Sequence, residues 1–155
     1  MSRSSSLNVL FLCTGNSCRS QMAEGFANEL KIPNVNFFSA GTEPQELNEI
    51  AVSVMQEVEI DISKHRSKTP LELGDIKFDF VFTVCDSANK ACPAYFNDST
   101  VICHLFDDPP FMAKGLNDTQ DIMNCYRYVR DEIGVWIVAL SNSILSENQR
   151  VLSQS

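Results

Sequence analysis

Short apolar runs alternate with amphipathic segments along this chain, and that alternation limits the possible folds more than any other feature. Residues 9–13 are apolar and are followed by Thr-Gly-Asn, which predicts a buried parallel strand and then a tight loop. Further strands are predicted at 35–40, 78–84 and 101–104. Helices are predicted after Ser20 as N-cap, over 48–58, briefly over 70–73, and from 118 to about 146. The pattern predicts a doubly wound α/β domain with a roughly four-stranded parallel sheet, whose site lies at the carboxyl ends of the strands.

Length and charge narrow the class of protein. The 155 residues, 44% of them hydrophobic, are enough for one core, so we expect a single domain over 7–146 with loose tails at 1–6 and 147–155. A net charge of −8 argues against a nucleic-acid backbone or an anionic membrane as the main partner. No segment has the roughly 20 consecutive apolar residues of a membrane span. The first apolar run is too short for a secretion signal, so we expect a cytoplasmic protein. We also expect it to be a monomer.

One segment carries a nucleophile and a cation at a spacing that suits an oxyanion. Cys13 ends the first strand, and Arg19 follows six residues later at the start of a helix. The loop between them can curl so that backbone N–H groups and the Arg19 guanidinium surround a tetrahedral anion. The same field favours the thiolate of Cys13, which is the nucleophilic form. The predicted substrate-binding residues are Thr14, Gly15, Asn16, Ser17, Cys18, Arg19 and Ser20, with the Cys18 side chain expected only to pack.

The segment from Cys13 to Ser20, continued by Gln-Met-Ala-Glu-Gly, resembles the low-molecular-weight protein tyrosine phosphatases and the thioredoxin-linked arsenate reductases that share their fold. Both families attack the central atom of an oxyanion with such a cysteine. The resemblance therefore implies that Cys13 is the nucleophile and that Arg19 and the loop amides clamp the oxyanion.

Two further cysteines separate these families. Cys85 follows the third predicted strand, at the same edge of the sheet as Cys13, and Cys92 lies seven residues later. Residues 83–96 resemble the corresponding stretch of the arsenate reductases, whereas the phosphatases do not characteristically carry this pair. The resemblance implies a relay in which Cys85 attacks Cys13, Cys92 attacks Cys85, residues 87–91 loosen, and thioredoxin reduces the final disulfide without an organic cofactor.

Other roles for these thiols are open. The chain has six cysteines, Cys13, Cys18, Cys85, Cys92, Cys103 and Cys125, which without a secretion signal indicate free thiols, metal ligands or redox chemistry. A zinc site of Cys85, Cys92, Cys103 and His104 would need a wider ligand spacing than zinc knuckles use. Cys85 and Cys92 can also be merely buried. His65 and His104 have no sequence context that demands catalysis, so we expect surface or hydrogen-bonded histidines.

A general acid is predicted on the loop after the fourth strand, whereas a cation site is not predicted. Asp107 and Asp108 precede two prolines that are expected to fix an extended, stiff loop, and the resemblance selects Asp108 as the general acid. Some relatives hold potassium behind the oxyanion loop, and Asn16, Glu24 and Ser39 match polar positions around it. No acidic residue is evident near Ser67 and Lys68, and the Lys68 ammonium can take the metal's place, so potassium is not predicted.

The sequence favours an arsenate reductase acting on the arsenate oxyanion, with thioredoxin as partner. One alternative is a low-molecular-weight phosphatase acting on phosphotyrosine or a small phosphoester, in which Cys85 and Cys92 protect against oxidation or pack. Another is a regulatory oxyanion sensor switched by oxidation of Cys13. Arg19 and Asp108 argue against a sensor, because a sensor needs no acid for a leaving group.

Overall fold

Four parallel strands form the sheet in the computed structural model, which describes residues 6–85, 96 and 98–153, with side chains as far as 144. The strands are β1 (Leu7–Cys13), β2 (Val35–Gly41), β3 (Phe80–Thr83) and β4 (Thr100–Cys103), in the order β2-β1-β3-β4. All pairings between neighbours are parallel. The predicted fold class, a doubly wound α/β domain with four parallel strands, is confirmed.

The central strand β1 places the loop that follows it at the point where the strand order reverses. The chain leaves β1 to form β2 on one side and returns to form β3 on the other. Cys13 lies opposite Gly41 of β2, and Leu12 lies opposite Thr83 of β3. Parallel sheets bind ligands at such switch points, beyond the carboxyl ends of the strands. The loop after β1 and Cys85, which lies two residues after β3, are therefore at the same edge.

Helices flank the sheet. They are α1 (Arg19–Glu29), α2 (Glu49–Gln56), α3 (Pro109–Met112) and α4 (Thr119–Ser153), with a short 3₁₀ helix at Pro70–Leu73. Helix α1 packs on β1, β2 and α4. The predicted apolar face of α4 is confirmed, since Tyr126, Val129, Ile133 and Ile137 are buried. Trp136 of α4 adds edge contacts to Phe11 and Phe82, with ring centroids 5.8 and 5.5 Å apart.

Two predicted helix ends and one predicted loop conformation are wrong. Helix α4 continues to Ser153, so the expected loose tail from residue 147 is helical over 147–153. Helix α2 ends at Gln56 instead of at residue 58, and Val58 is 38% exposed. The prolines after Asp108 do not form an extended loop, because Pro109 begins α3 with Asp108 as its N-cap. Proline suits the first turn of a helix, where its missing N–H is not needed.

Among the residues described, no helix combines the length and apolarity needed to cross a bilayer. Cys92 and the 87–91 segment of the predicted relay lie outside the described residues.

Candidate active site

The loop from Cys13 to Ser17 has each of its carbonyl groups bonded to a donor outside the loop. Four of them accept backbone N–H groups of the segment after β2, from Thr42 to Cys13, Glu43 to Thr14, Gln45 to Gly15 and Asn48 to Ser17, at 2.8 to 3.1 Å. The Asn16 carbonyl accepts from two side chains, those of Gln21 and Ser67. Because a trans peptide points its C=O and N–H in opposite directions, the N–H groups face the centre of the loop. The result is a cradle suited to a tetrahedral anion.

Gly41 makes this arrangement possible. A Cβ atom at Gly41 would lie 2.5 Å from the Thr14 carbonyl oxygen and 2.8 Å from the Asn16 nitrogen. The loop therefore packs directly on the backbone at the end of β2. Position 41 requires a glycine because of this close approach of the two backbones.

Cys13, the predicted nucleophile, is 3% exposed and lies under this cradle. Its Sγ is 2.9 Å from the Ser20 Oγ and accepts the Asn16 N–H at 3.3 Å. The Asn16 side-chain amide donates to the same Ser20 hydroxyl at 2.8 Å. Ser20 was predicted to be the N-cap of α1, and this prediction is wrong. The N-cap is Cys18, and Ser20 lies in the first turn of the helix with its hydroxyl toward the Cys13 thiol.

Burial raises the pKa of the Cys13 thiol, which corrects the expectation that the loop favours its thiolate outright. The Ser20 hydrogen bonds act against burial and lower this pKa, a nearby charge on Cys85 raises it, and the Arg19 guanidinium lowers it. Burial also raises the pKa of Cys18, which fits the packing role expected for that side chain. The reactive thiolate of Cys13 therefore depends on the donors that face its sulfur.

Arg19 and Asp108, the predicted clamp and general acid, lie together. One guanidinium nitrogen of Arg19 donates to the Phe106 carbonyl at 3.0 Å, and the other is 3.5 Å from Asp108 Oδ1. The Asp108 side chain is 42% exposed and that of Arg19 is 14% exposed. A half-exposed carboxyl beside the clamp can exchange protons with solvent and with a bound anion. Asp107, the rejected candidate, is exposed.

Cys85 is buried beside the same loop. Its sulfur is 3.2 Å from the Thr14 hydroxyl, and its charge interacts with Cys13. The fold thus brings Cys13 and Cys85 to one place although 72 positions separate them in the sequence. Cys103 is exposed on β4, and His104 stacks on Trp136 with ring centroids 4.9 Å apart. No group of three or more His, Cys, Asp or Glu side chains able to hold a metal ion occurs among the described residues.

The polar side chains behind the loop are hydrogen-bonded to donors of the protein. The Asn16 side-chain oxygen accepts the Lys68 backbone N–H at 3.0 Å, and a Glu24 carboxylate oxygen accepts the Ser39 hydroxyl at 2.5 Å. Lys68 Nζ donates to the Arg66 carbonyl, and the Lys68 charge interacts with that of Glu24. Donors of the protein thus contact the side-chain oxygens of Asn16 and Glu24, and the Lys68 ammonium is near enough to Glu24 for their charges to interact.

Several residues of the site gave no local signal in the sequence. Segments 42–48 and 65–68 donate hydrogen bonds to the loop. Asn48 is also the N-cap of α2, and its side-chain amide donates to the Tyr126 hydroxyl at 3.0 Å. Gln21 was visible only as part of the family-like run after Ser20. His65, expected to be a hydrogen-bonded histidine, bonds to Gln21 through Nδ1 at 2.9 Å.

The chain belongs to the low molecular weight phosphotyrosine protein phosphatase family, whose profile matches residues 8–147. An arsenate reductase of Halalkalibacterium halodurans is 41% identical over 126 residues, which make up 81% of this chain and 88% of that protein. Arsenate reductase 1 of Staphylococcus epidermidis is 44% identical over 136 residues, or 88% of this chain and 96% of that protein. A solved arsenate reductase in the phosphate binding state has a TM-score of 0.73 at 28% identity, over 89% of this chain and 98% of that one.

Ser20→Ala should raise the pKa of Cys13, because it removes the hydroxyl that stabilises the thiolate. Only the thiolate reacts with iodoacetamide, so the alkylation midpoint should move to higher pH and the rate at neutral pH should fall. Ser143→Ala is the matched control, since the Ser143 hydroxyl bonds to the Ala139 carbonyl on the exposed side of α4. An alkylation profile of Ser20→Ala that matches both wild type and this control would contradict the role given to Ser20.

Proposed function

We propose that this chain reduces arsenate to arsenite through a covalent adduct on Cys13 and a disulfide relay through Cys85 and Cys92. One observation supports reduction over simple hydrolysis: a second thiol, Cys85, is buried beside the oxyanion loop and within hydrogen-bonding distance of Thr14. Reduction of As(V) needs two electrons, which two neighbouring thiols supply when they form a disulfide. The two curated relatives described above are named arsenate reductases.

The first step is attack by the Cys13 thiolate on arsenic. A sulfur–arsenic bond forms, one arsenic–oxygen bond breaks, and the departing hydroxyl oxygen leaves as water after taking a proton from Asp108. The inward N–H groups and Arg19 carry the negative charge of the other oxygens. The distance of 3.5 Å between Arg19 and Asp108 supports this assignment, because it lets one anion contact both side chains.

The second step transfers the electrons. The Cys85 thiolate attacks Cys13 Sγ, the sulfur–arsenic bond breaks, and its electron pair stays on arsenic, which leaves as arsenite. The product on the protein is a Cys13–Cys85 disulfide. Cys92 then attacks Cys85 and releases Cys13 as a thiolate, and the dithiol of thioredoxin reduces the Cys85–Cys92 disulfide. The proximity of Cys85 supports the first exchange, and the role of Cys92 rests on the resemblance of residues 83–96 to the arsenate reductases.

The second candidate is a phosphatase, which the family as a whole supports. Cys13, Arg19 and Asp108 would perform the same first step on a phosphoester, with water in place of Cys85 in the second. The two functions differ in whether electrons leave the protein.

Arsenate-dependent oxidation of NADPH in the presence of thioredoxin and thioredoxin reductase tests the proposal. We expect multiple turnovers for the wild type and none for Cys13→Ser, because the variant lacks the nucleophile that starts the reaction. Hydrolysis of p-nitrophenyl phosphate is measured in parallel. Phosphate release from that ester without any arsenate-dependent oxidation of NADPH would favour the phosphatase.

Asp108→Asn should slow formation of the Cys13 adduct by about 10²- to 10⁴-fold, the usual contribution of a general acid. Phosphate should bind at least as tightly as to wild type, because only the proton and one negative charge are removed. Single-turnover kinetics and calorimetric titration with phosphate measure the two effects. Asp107→Asn is the neighbouring control and should leave both unchanged; the reverse pattern would show that Asp107 is the acid.

Cys92→Ser should release about one arsenite per chain and then stop, since Cys85 can still attack Cys13 but the resulting disulfide cannot move on. Peptide mapping by mass spectrometry should find a Cys13–Cys85 cross-link. Cys103→Ser, which removes an exposed thiol on β4, is the control and should turn over repeatedly. Undiminished turnover of Cys92→Ser with thioredoxin would exclude Cys92 as the last thiol of the relay.

A further inference from the structure

Asn16 differs from the other residues of the oxyanion loop in backbone conformation and in how its carbonyl is held. Its φ is +50°, in the left-handed region that non-glycine residues rarely adopt. The carbonyls of Cys13, Thr14, Gly15 and Ser17 accept backbone N–H groups, whereas the Asn16 carbonyl accepts Gln21 Nε2 at 3.0 Å and Ser67 Oγ at 2.6 Å. At the Asn16–Ser17 peptide, the donors that hold the carbonyl are side chains and not backbone N–H groups.

Gln21 makes this contact from the interior of the protein. Its side chain is fully buried, and Nε2 donates both to the Asn16 carbonyl and, at 3.1 Å, to the Arg66 carbonyl. Both partners are acceptors, so the amide nitrogen must face them and Oε1 must accept from His65 Nδ1. The orientation of the amide is therefore fixed, and His65 carries its hydrogen on Nδ1.

The Asn16–Ser17 peptide connects the Gln21 contact to the anion-binding loop and to Cys13. Because that peptide is trans, holding the Asn16 carbonyl outward points the Ser17 N–H toward the oxyanion. Asn16 also reaches Cys13 twice, through its own N–H at 3.3 Å and through Ser20, whose hydroxyl accepts the Asn16 amide at 2.8 Å. A change in the backbone at Asn16 would thus disturb both anion binding and the thiol.

We propose that Gln21 is a positioning residue of the oxyanion loop: it fixes the Asn16–Ser17 peptide so that the Ser17 N–H faces the anion and Asn16 stays in contact with Cys13. Ser67 is the second donor to the same carbonyl. The proposal rests on the proposed function only in requiring that the loop binds a tetrahedral oxyanion, and it holds whether that anion is arsenate or a phosphoester.

The test compares Gln21→Met, which keeps the volume and removes all three side-chain hydrogen bonds, with wild type. We expect the Kd for inorganic phosphate to rise about ten-fold, as for the loss of one buried hydrogen bond, and the alkylation midpoint of Cys13 to shift. Gln56→Met, at an exposed position at the end of α2, is the matched control and should change neither. A folded Gln21→Met with lowered Tm but with wild-type phosphate affinity and alkylation profile would overturn the proposal and leave Gln21 a packing residue.

Ser67→Ala keeps the test decisive if Gln21→Met does not fold. It removes the other donor to the Asn16 carbonyl at a half-buried position, so a smaller shift of both measurements in the same direction is expected. Wild-type phosphate affinity in Ser67→Ala, together with an unfolded Gln21→Met, would also overturn the proposal. Arsenate turnover is used in neither arm, so failure of the proposed reduction would leave these results interpretable.

Discussion

The outward orientation of five consecutive carbonyl groups, from Cys13 to Ser17, is the constraint on which the site depends. Buried carbonyls need donors, and a loop can present its N–H groups to an anion only if the opposite sides of the same peptides are satisfied elsewhere. The segment after β2 supplies four of those donors because β2 lies beside β1. The same neighbourhood requires glycine at position 41, where a larger residue would meet the loop backbone.

Cys13 is held between opposing effects. Burial raises its pKa, while Ser20 and Arg19 lower it and the Cys85 charge raises it again. Thiolates on Cys13 and Cys85 would repel each other. Once the Cys13 sulfur is bonded to arsenic, it no longer carries a negative charge to oppose a thiolate on Cys85. The same proximity that makes a disulfide possible thus favours one charged sulfur at a time.

The strands and the buried face of α4 could be predicted because they follow from patterns within one segment. Residues 9–13 are apolar on both faces, as a central parallel strand must be, and Ile133 and Ile137 repeat at helical spacing. The errors have local causes as well. Pro109 and Pro110 fit either an extended loop or the first turn of a helix, and only the packing of α3 on α4 selects the helix. Ser20 fits an N-cap in the sequence, but its hydroxyl contacts a thiol seven residues earlier in the chain.

The sequence by itself determined the fold class and the spacing that sets a thiol and a guanidinium around one loop, because strand and helix periodicity and the span from Cys13 to Arg19 are short-range properties. Tertiary structure alone decided which groups hold that loop. Gln21 lies near the loop in the chain, but the other partners are distant in sequence. Asn48 is 31 positions from its partner Ser17, and Ser67 is 51 positions from Asn16. Cys85 is 71 positions from Thr14. Such contacts depend on strand order, which places the carboxyl ends of β1, β2 and β3 at one edge of the sheet, and no local pattern encodes that arrangement.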